Sequence, residues 1–432
     1  MGKIKIAYIC WLSNQMVRKH LSLRDYSLRN IVLRFFHKPT NSYTDYGIWN
    51  SDFVEEFKKM EEYEFHVISP HNGMIGENIV EFNNEGVNYH IFKCDSNLFV
   101  DAYHSYSHYN ERTDYKWVRE RIMRIVESIS PQVIIVCGAE QPKFSPIIWD
   151  LHKIPTLVLL ETAVNDPLLM KMMPGSRIYG VVERRSFSEM HYFATSNPKY
   201  HGIVRQYNKD AACLYSWFPS HKPPLVEHPD KQFDFLFYAA VISQNKGVED
   251  VIIAFNKLSD KYPHLKLNIC GRIDSSYREH LDNLVDSRAK DNVSFTGFFE
   301  TVDDKLSFVQ TSKIIVLPGI TAPLNGTVRE SMLMKLPTIV YETVKTLQIN
   351  KDKECILCAK MQDVDDLANK MQFAIENPQK MEEIANNGYQ YALENYSNTK
   401  VAKGLIRAAL AVMEKEKNGK SIPEELYYEP LD

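Results

Sequence analysis

The sequence predicts an α/β protein made of two doubly wound domains. Short β-branched runs alternate with helical segments along both halves, as in parallel sheets that are covered by helices. The 432 residues exceed what one hydrophobic core usually supports, and residues 218–230 hold four prolines. We therefore predict an N-terminal domain over 1–217, a linker at 218–230, a second domain over 231–400, and a C-terminal helix and tail at 401–432, with the helix crossing back to the first domain.

The first half alternates strands and helices from its first residues. The predicted strands are Ile4–Ile9, Glu64–Ser69, Val87–Phe92, Gln132–Cys137, Thr156–Leu160, Phe193–Ser196 and Ala212–Ser216. The predicted helices are Trp49–Met60, Lys116–Ser128, Pro142–Leu151, Lys199–Tyr207 and one that begins at Arg184. Ser51 is the candidate N-cap of the first of these helices, which places Glu55 and Glu56 in its first turn.

The second half repeats this alternation. Its predicted strands are Phe233–Tyr238, Lys266–Cys270, Val293–Thr296, Ile314–Leu317 and Thr338–Tyr341. Its predicted helices are Val248–Lys261, Ser276–Lys290, Val302–Thr311, Val328–Leu336, Asp363–Glu376, Gln379–Asn395 and Lys400–Lys417. In such sheets, ligands bind beyond the carboxyl ends of the strands, so we expect the main ligand site in a crevice between the domains.

Composition excludes several classes of protein. The net charge of −4 gives no reason to expect a nucleic-acid partner. The seven cysteines are scattered, which is typical of reduced thiols in a cytoplasmic protein, and the single pair Cys355 and Cys358 does not indicate a zinc site. The N-terminus is predicted to be a strand and not a signal peptide, and no segment reaches the ~18 apolar residues of a membrane span.

The most informative stretch is Ser312–Pro337. It is predicted to be a buried strand, a loop that contains Gly326, and a helix that carries Glu330. A glycine-containing loop at a helix start offers free N–H groups to a phosphate, and a carboxylate one turn later can bind the two hydroxyls of a ribose. The pattern therefore indicates a nucleotide site, and an ordinary β-loop-α unit with a solvated glutamate is the alternative.

The second half also resembles a known family. The segments FDFLFYAAVISQNKGVEDVIIAF, LKLNICGRID, NVSFTGFFE and KIIVLPGITAPLNGTVRESMLMKLPTIV occur in the order and spacing of the retaining GT-B glycosyltransferases of family 4. The resemblance covers Phe233–Tyr396. It implies that the second domain binds a nucleoside-diphosphate sugar, with UDP or GDP as the nucleotide. It also implies that the first domain presents an acceptor, and that a surface polysaccharide or similar glycoconjugate is built.

The resemblance assigns roles to several residues of the second domain. Lys246 matches the lysine that contacts the donor diphosphate, although a surface turn lysine is the alternative. Gly271 matches a glycine where the backbone approaches the nucleotide, and Phe298 lies in the loop that meets the base or is a core aromatic. Glu330 matches the second glutamate of the EX7E motif, which takes the ribose hydroxyls. Backbone amides for the phosphates come from the three residues before the helix, Asn325, Gly326 and Thr327.

Three positions depart from the family pattern. The first glutamate of EX7E falls at Ala322, so a contact to the donor sugar is missing. The usual Gly-Arg pair before the lysine is Ala240-Val241, and Arg272 in the neighbouring loop could supply the lost cation. Glu161 replaces a histidine that faces the donor sugar. We expect it to orient the sugar, with a helix N-cap or solvated loop residue as the alternative, and Glu140 is a second carboxylate nearby.

The acceptor side is less well defined by the sequence. Residues 16–40 are rich in Arg, Lys and His with interleaved apolar residues. Such a segment can lie on an anionic membrane surface, grip a phosphate-bearing, lipid-linked acceptor, or form a solvated excursion. Residues 103–115 are rich in Tyr and His and could stack on sugars or form a surface loop. We expect a glycan or lipid-linked acceptor, no bound metal, and a cytoplasmic protein that can associate peripherally with the inner face of a membrane.

Two other functions remain open at this point. A nucleotide-sugar epimerase could share the two-domain architecture and would need no acceptor. A non-catalytic partner subunit could keep the fold while losing function, and Ala322 and Ala240-Val241 motivate that alternative.

Overall fold

A computed structural model describes residues 2–27, 30–31, 35, 43–94, 108–172, 177–221, 223–227, 229–299, 301–320 and 326–427. The chain divides into two compact units. The first contains residues 1–219 and 398–432, and the second contains residues 220–397.

The first unit is built on a sheet with strand order β3-β4-β2-β1-β5-β6-β7-β8. Its strands are β1 (Ile4–Ile9), β2 (Tyr63–His71), β3 (Ile79–Asn84), β4 (Val87–Lys93), β5 (Val133–Cys137), β6 (Thr156–Leu159), β7 (Tyr192–Thr195) and β8 (Ala212–Tyr215). Neighbouring strands are parallel except β3, which pairs antiparallel with β4. The order reverses between β1 and β5, so their carboxyl ends mark the switch point of this sheet.

Helices cover both faces of this sheet. They are α1 (Gln15–Lys19), α2 (Ile48–Phe57), α3 (Tyr109–Arg112), α4 (Lys116–Ile129), α5 (Pro167–Met172), α6 (Arg177–Glu189) and α7 (Pro198–Tyr207), with a 3-10 turn at Ser145–Asp150. One core contains Phe53 and Phe57 of α2, and the other contains residues of α4, α6 and α7, including Ile122 and Phe187.

The second unit has a parallel sheet with strand order β11-β10-β9-β12-β13-β14. Its strands are β9 (Phe233–Val241), β10 (Leu267–Arg272), β11 (Val293–Thr296), β12 (Ser312–Leu317), β13 (Thr338–Tyr341) and β14 (Leu357–Ala359). Its helices are α8 (Val248–Ser259), α9 (Ser275–Leu284), α10 (Val302–Val309), α11 (Gly326–Leu333), α12 (Val344–Ile349), α13 (Val364–Glu376) and α14 (Pro378–Asn395). The order reverses between β9 and β12, which places the switch point at their carboxyl ends.

The last helix, α15 (Asn398–Asn418), belongs to the first unit. Its apolar face, which includes Val401, Leu405 and Val412, is buried in the same core as α2. Thr399 Oγ1 also donates a hydrogen bond to Glu56 of α2, at 2.8 Å. The core of the first unit therefore draws on both ends of the chain.

The predicted α/β class with doubly wound parallel sheets is confirmed, but several local predictions are wrong. The helix predicted at 49–60 begins at Ile48 with Gly47 as its N-cap, in the left-handed region at φ 62°, so Ser51 is not the cap. Gly47 is needed there because a Cβ would lie 1.9 Å from the carbonyl oxygen of Trp11. A strand that the sequence did not reveal, β3, joins β4 through a tight turn at Glu85-Gly86, where both residues have positive φ.

Two further differences affect the candidate site. The helix predicted from Val328 begins at Gly326, and the helix predicted from Arg184 begins at Arg177 and follows the unpredicted α5. Both helices begin beside glycines and polar residues, which have weak helix propensity. Sequence patterns therefore did not predict these first turns, which tertiary contacts stabilise. Within the described ranges, no helix is long and apolar enough to span a bilayer. No group of three His, Cys, Asp or Glu side chains in the same ranges is placed to hold a metal.

Candidate active site

The switch point of the second unit joins the loop after β9 to the loop after β12. The Ile320 N–H donates to the carbonyl oxygen of Asn245 at 3.0 Å. Gly247 has a φ of +78°, and a Cβ there would lie 2.1 Å from the carbonyl oxygen of Pro318. Only glycine fits this close approach. Lys246, the last residue of a 3-10 turn, is therefore held beside the chain that leads into α11.

Glu330 lies in the second turn of α11 with its side chain 12% exposed. Lys305 Nζ of α10 is 3.7 Å from its Oε2 and is itself only 17% exposed. The hydroxyl of Tyr238, in β9, is 3.5 Å from the same oxygen. Burial raises the pKa of Tyr238 well above its ordinary value, and the nearby charge of Glu330 raises it further. Glu330 is therefore held in place between a cation and a neutral phenol.

The start of α11 is fixed by the same tyrosine. The Tyr238 hydroxyl donates to the carbonyl oxygen of Thr327 at 2.7 Å and lies 3.0 Å from Ser331 Oγ. Gly326 is the first residue of the helix, and a Cβ there would meet no atom of the described residues within 4 Å. The dipole of the helix favours an anion at this end. The predicted site residue Asn325 and the neighbouring Ala322 lie outside the described residues.

Gly271 and Arg272 form a bulge at the end of β10. Gly271 has a φ of +148°, and a Cβ there would lie 2.1 Å from the carbonyl oxygen of Ala239. The Ile242 N–H donates to the carbonyl oxygen of Arg272 at 2.8 Å, which joins this bulge to the loop that carries Lys246. The bulge therefore needs glycine for close packing against β9.

Arg272 and Phe298 stack on each other at the surface. The Arg272 guanidinium carbon lies 4.4 Å from the centroid of the Phe298 ring. Phe298 is 46% exposed, so it is not the core aromatic that the sequence left as an alternative. Gly271, Gly297, Ile242 and Phe295 line a small pocket beside this pair. An exposed flat pair of this kind offers a stacking surface to a planar ligand.

The first unit carries the other two predicted carboxylates near the ends of β5 and β6. Glu161 is exposed in the loop after β6. Burial raises the pKa values of Cys137 and Tyr200, and the charge of Glu161 adds to both rises. Glu140 is buried, and this burial raises its pKa to about 6 although the N–H groups of Ala139 and Glu140 favour the charged form. Glu140 therefore holds a proton more readily than an exposed glutamate does.

The loop that carries Glu161 is anchored by a residue that the sequence analysis missed. Glu183 of α6 is fully buried, and its carboxylate accepts hydrogen bonds from the N–H groups of Val164 and Asn165, each at 2.7 Å. The Asn165 Nδ2 donates to the same carboxylate at 2.7 Å. Burial raises the pKa of Glu183 to about 7, and the charge of Glu140 adds to this rise. The predicted helix begins one residue later, at Arg184, so no sequence signal identified this glutamate.

The structure thus brings some of the predicted residues together within each unit. In the second unit, the loop of Lys246 is joined both to the chain that leads into α11 and to the bulge of Gly271 and Arg272. The sequence analysis missed Lys305 and Tyr238, because both are distant from Glu330 along the chain and come close to it only when the second unit folds. Glu161 lies in the other unit.

Comparison with known proteins agrees with this geometry. Residues 224–391 match the family model described as Glycosyl transferases group 1. No curated protein sequence matches the chain significantly. Residues 224–391 therefore form a glycosyl transferases group 1 domain, and the protein is a glycosyltransferase.

Solved structures show the same fold over nearly the whole chain. Sucrose-phosphate synthase from Thermosynechococcus elongatus has a TM-score of 0.68 and 14% identity, covering 94% of this chain and 98% of that one. Anabaena Alr3699/HepE in complex with UDP and glucose has a TM-score of 0.61 and 11% identity, covering 93% and 98%. An E. coli trehalose-6-phosphate structure bound with UDP-2-fluoro glucose has a TM-score of 0.62 and 9% identity, covering 95% and 99%. The fold is GT-B.

Proposed function

We propose that the protein transfers a sugar, with retention of anomeric configuration, from a nucleoside-diphosphate sugar to an acceptor hydroxyl. The observation that carries this proposal is the switch point of the second unit. There the Lys246 loop is hydrogen-bonded to the chain that leads into α11, and Glu330 is held in the second turn of that helix. The binding of UDP and glucose by the Anabaena protein of the same fold supports a nucleotide-sugar donor.

Each residue of this site has a proposed task. Glu330 accepts hydrogen bonds from the ribose hydroxyls, and the N–H groups at the start of α11, from Asn325, Gly326 and Thr327, bind the diphosphate. Lys246 stabilises the negative charge that builds on the leaving phosphate. We place the nucleobase, of UDP or GDP, at the Arg272–Phe298 stack beside Gly271.

The chemical step breaks the bond from the anomeric carbon to the phosphate oxygen and forms a bond from the same carbon to the acceptor oxygen. The acceptor proton moves to the departing diphosphate. The proposal requires no metal ion, because Lys246 and the helix dipole supply the stabilising charge. Glu161 of the first unit orients the transferred sugar through its hydroxyls.

We further propose that the acceptor is a glycan or a lipid-linked glycan of a surface polysaccharide or similar glycoconjugate, and that the reaction takes place in the cytoplasm, at the inner face of a membrane. The basic segment 16–40 motivates this part, although residues 28–29, 32–34 and 36–40 lie outside the described chain. Residues 103–107 of the Tyr- and His-rich stretch also lie outside it.

The direct test is a calorimetric titration with UDP-, GDP- and ADP-sugars. The protein should bind at least one of them, and Glu330→Ala should raise the Kd at least about tenfold, as expected for the loss of charge-assisted hydrogen bonds. Glu376→Ala, at an exposed glutamate of the same unit, is the matched control and should bind normally. Unchanged binding by Glu330→Ala would refute the site.

The product distinguishes the transfer reaction from other chemistry. Proton NMR of the glycoside formed should show the anomeric configuration of the donor. An altered sugar nucleotide formed from the donor alone would instead identify an epimerase, and failure to bind any nucleotide sugar would point to a non-catalytic subunit.

A further inference from the structure

The carboxylate of Glu330 is mostly buried, yet it receives no hydrogen bond shorter than 3.5 Å from the described residues. Its two polar neighbours are Lys305 Nζ at 3.7 Å and the Tyr238 hydroxyl at 3.5 Å, and both approach Oε2. A carboxylate has two oxygens with about four acceptor positions, and a buried one normally has donors on them. Among the described residues, the acceptor positions of Oε1 are therefore open.

The Tyr238 hydroxyl does not fill the carboxylate either, because its single proton is already used. The hydroxyl donates to the carbonyl oxygen of Thr327 at 2.7 Å, and it lies 3.0 Å from Ser331 Oγ. A hydrogen bond of 2.7 Å is much stronger than a contact of 3.5 Å, so the proton points to Thr327 and not to Glu330. Tyr238 thus borders the carboxylate and leaves it able to accept further hydrogen bonds.

Lys305 balances the charge of Glu330, and the described part of the chain gives this lysine no second ion pair. At 3.7 Å its ammonium is within ion-pair distance of Oε2, but it is farther away than an ordinary N–H···O hydrogen bond allows. Both side chains are mostly buried, which strengthens the attraction between them. The lysine therefore compensates the charge without occupying the acceptor positions.

The ammonium of Lys305 is held in place by the sheet. It lies 5.6 Å from the centroid of the Tyr238 ring in β9. Burial raises the pKa of the Cys270 thiol in β10 to about 11, and the charge of Lys305 opposes this rise. Because Tyr238 and Cys270 are paired neighbours in the sheet, Lys305 lies beside both strands that lead to the candidate site.

A lysine suits this position better than an arginine would. The lysine ammonium is a compact point charge, whereas a guanidinium is a planar fork that binds both oxygens of a carboxylate at once. Such a fork would occupy the acceptor positions that a ligand with hydroxyl groups needs.

We propose that Lys305 is a positioning residue for recognition of the ribose, an inference that rests on the proposed function. Lys305 orients the Glu330 carboxylate and balances its charge through Oε2, so that the open positions accept hydrogen bonds from the 2′- and 3′-hydroxyls. The preference for a ribonucleotide therefore depends on Lys305, which does not itself touch the ligand.

The test is a calorimetric titration with two ligands that differ only in the ribose. UDP carries both hydroxyls and 2′,3′-dideoxy-UDP lacks them, and GDP with its dideoxy form takes their place if the protein prefers guanine. The unmodified protein should bind UDP at least about tenfold more tightly, as expected for hydrogen bonds to a carboxylate. Lys305→Met removes the charge and should raise the Kd of UDP about five- to tenfold, while the Kd of the dideoxy form changes less than about twofold.

Further variants separate positioning from a general effect on the protein. In the Glu330→Ala background, Lys305→Met should cause no further rise in the Kd of UDP, because the lysine then has no carboxylate to orient. Lys313→Met removes a lysine that pairs with Asp234 at 2.8 Å in the same unit, and it should bind both ligands like the unmodified protein. Urea unfolding shows whether each variant is folded, and Lys305→Gln is the second charge-removing variant if Lys305→Met is not.

Three results would overturn the inference. These are equal loss of affinity for both ligands in Lys305→Met, no preference of the unmodified protein for UDP over the dideoxy form, and a further loss in the double variant, which would mean that Lys305 binds the nucleotide itself. If Glu330→Ala loses affinity but Lys305→Met keeps the full preference for UDP, the inference is refuted and the proposed function stands. Failure to bind any nucleotide or nucleotide sugar would refute both.

Discussion

The hydroxyl of Tyr238 donates a hydrogen bond to the carbonyl oxygen of Thr327, 2.7 Å away. This bond ties the central strand β9 to the first turn of α11, and the same hydroxyl lies 3.5 Å from Glu330. The helix that offers its N-terminus to the proposed diphosphate is thus fixed by a side chain from the strand that precedes Lys246.

Tyr238→Phe should therefore affect both stability and ligand binding. Loss of one buried hydrogen bond should lower the free energy of unfolding by about 1 kcal/mol, and the nucleotide-sugar Kd should rise several-fold because the start of α11 loosens. Urea unfolding and calorimetry measure the two effects. Tyr341→Phe is the control, because that hydroxyl donates to Asp250 of α8 at 2.6 Å. An equal change of Kd in both variants would contradict this explanation.

Gly271→Ala should be severely destabilising. The new Cβ would lie 2.1 Å from the carbonyl oxygen of Ala239 at a φ of +148°, so the bulge must shift at a cost of at least about 3 kcal/mol. Gly297→Ala provides the comparison, because a Cβ there meets no atom of the described residues within 4 Å. That variant should change the free energy of unfolding by less than about 1 kcal/mol. Similar values for the two variants in urea unfolding would show that the bulge is not strained by a side chain.

Lys246→Met should slow the transfer step. If Lys246 stabilises charge on the leaving phosphate, kcat should fall about 10²- to 10³-fold, with a much smaller change in KM. Lys257→Met, at an exposed lysine that pairs with Asp365, should leave both constants unchanged. The rate of donor consumption measures this effect, and a change confined to KM would mean that Lys246 only binds the donor.

Glu183 should make the stability of the first unit depend on pH. Its pKa is raised to about 7 in the folded protein, from an ordinary value of 4.5. The folded state therefore holds this proton more tightly than the unfolded state, and the associated stability is present below pH 4.5 and is lost as pH rises to about 7. The loss is about 1.4 kcal/mol per pH unit within this window.

Glu183→Gln removes this titration. Relative to the variant, the unmodified protein should lose up to about 3 kcal/mol between pH 4.5 and 7, and the two curves should run parallel above that range. Urea unfolding followed by near-UV circular dichroism at several pH values makes the comparison. Parallel curves over the whole range would mean that Glu183 titrates normally.

The sequence predicted what is local in this fold. The strand, loop and helix around Glu330 could be predicted because each is encoded by the pattern of neighbouring apolar residues and glycines. The ion pair of Lys305 with Glu330 could not be predicted, since those residues are separated by β12 and meet only after the sheet forms. The hydrogen bonds of Glu183 to residues 164–165 were hidden for a different reason. In a sequence, a buried glutamate cannot be distinguished from a surface glutamate unless the groups that donate hydrogen bonds to it are known.

The position of α15 has a consequence for synthesis on the ribosome. The first unit needs Val401, Leu405 and Val412 to complete its core, and these residues are made after the whole second unit. The second unit is one continuous segment, residues 220–397, that emerges before them. We therefore expect the donor unit to finish folding before the first unit, which must wait until α15 has emerged from the ribosome.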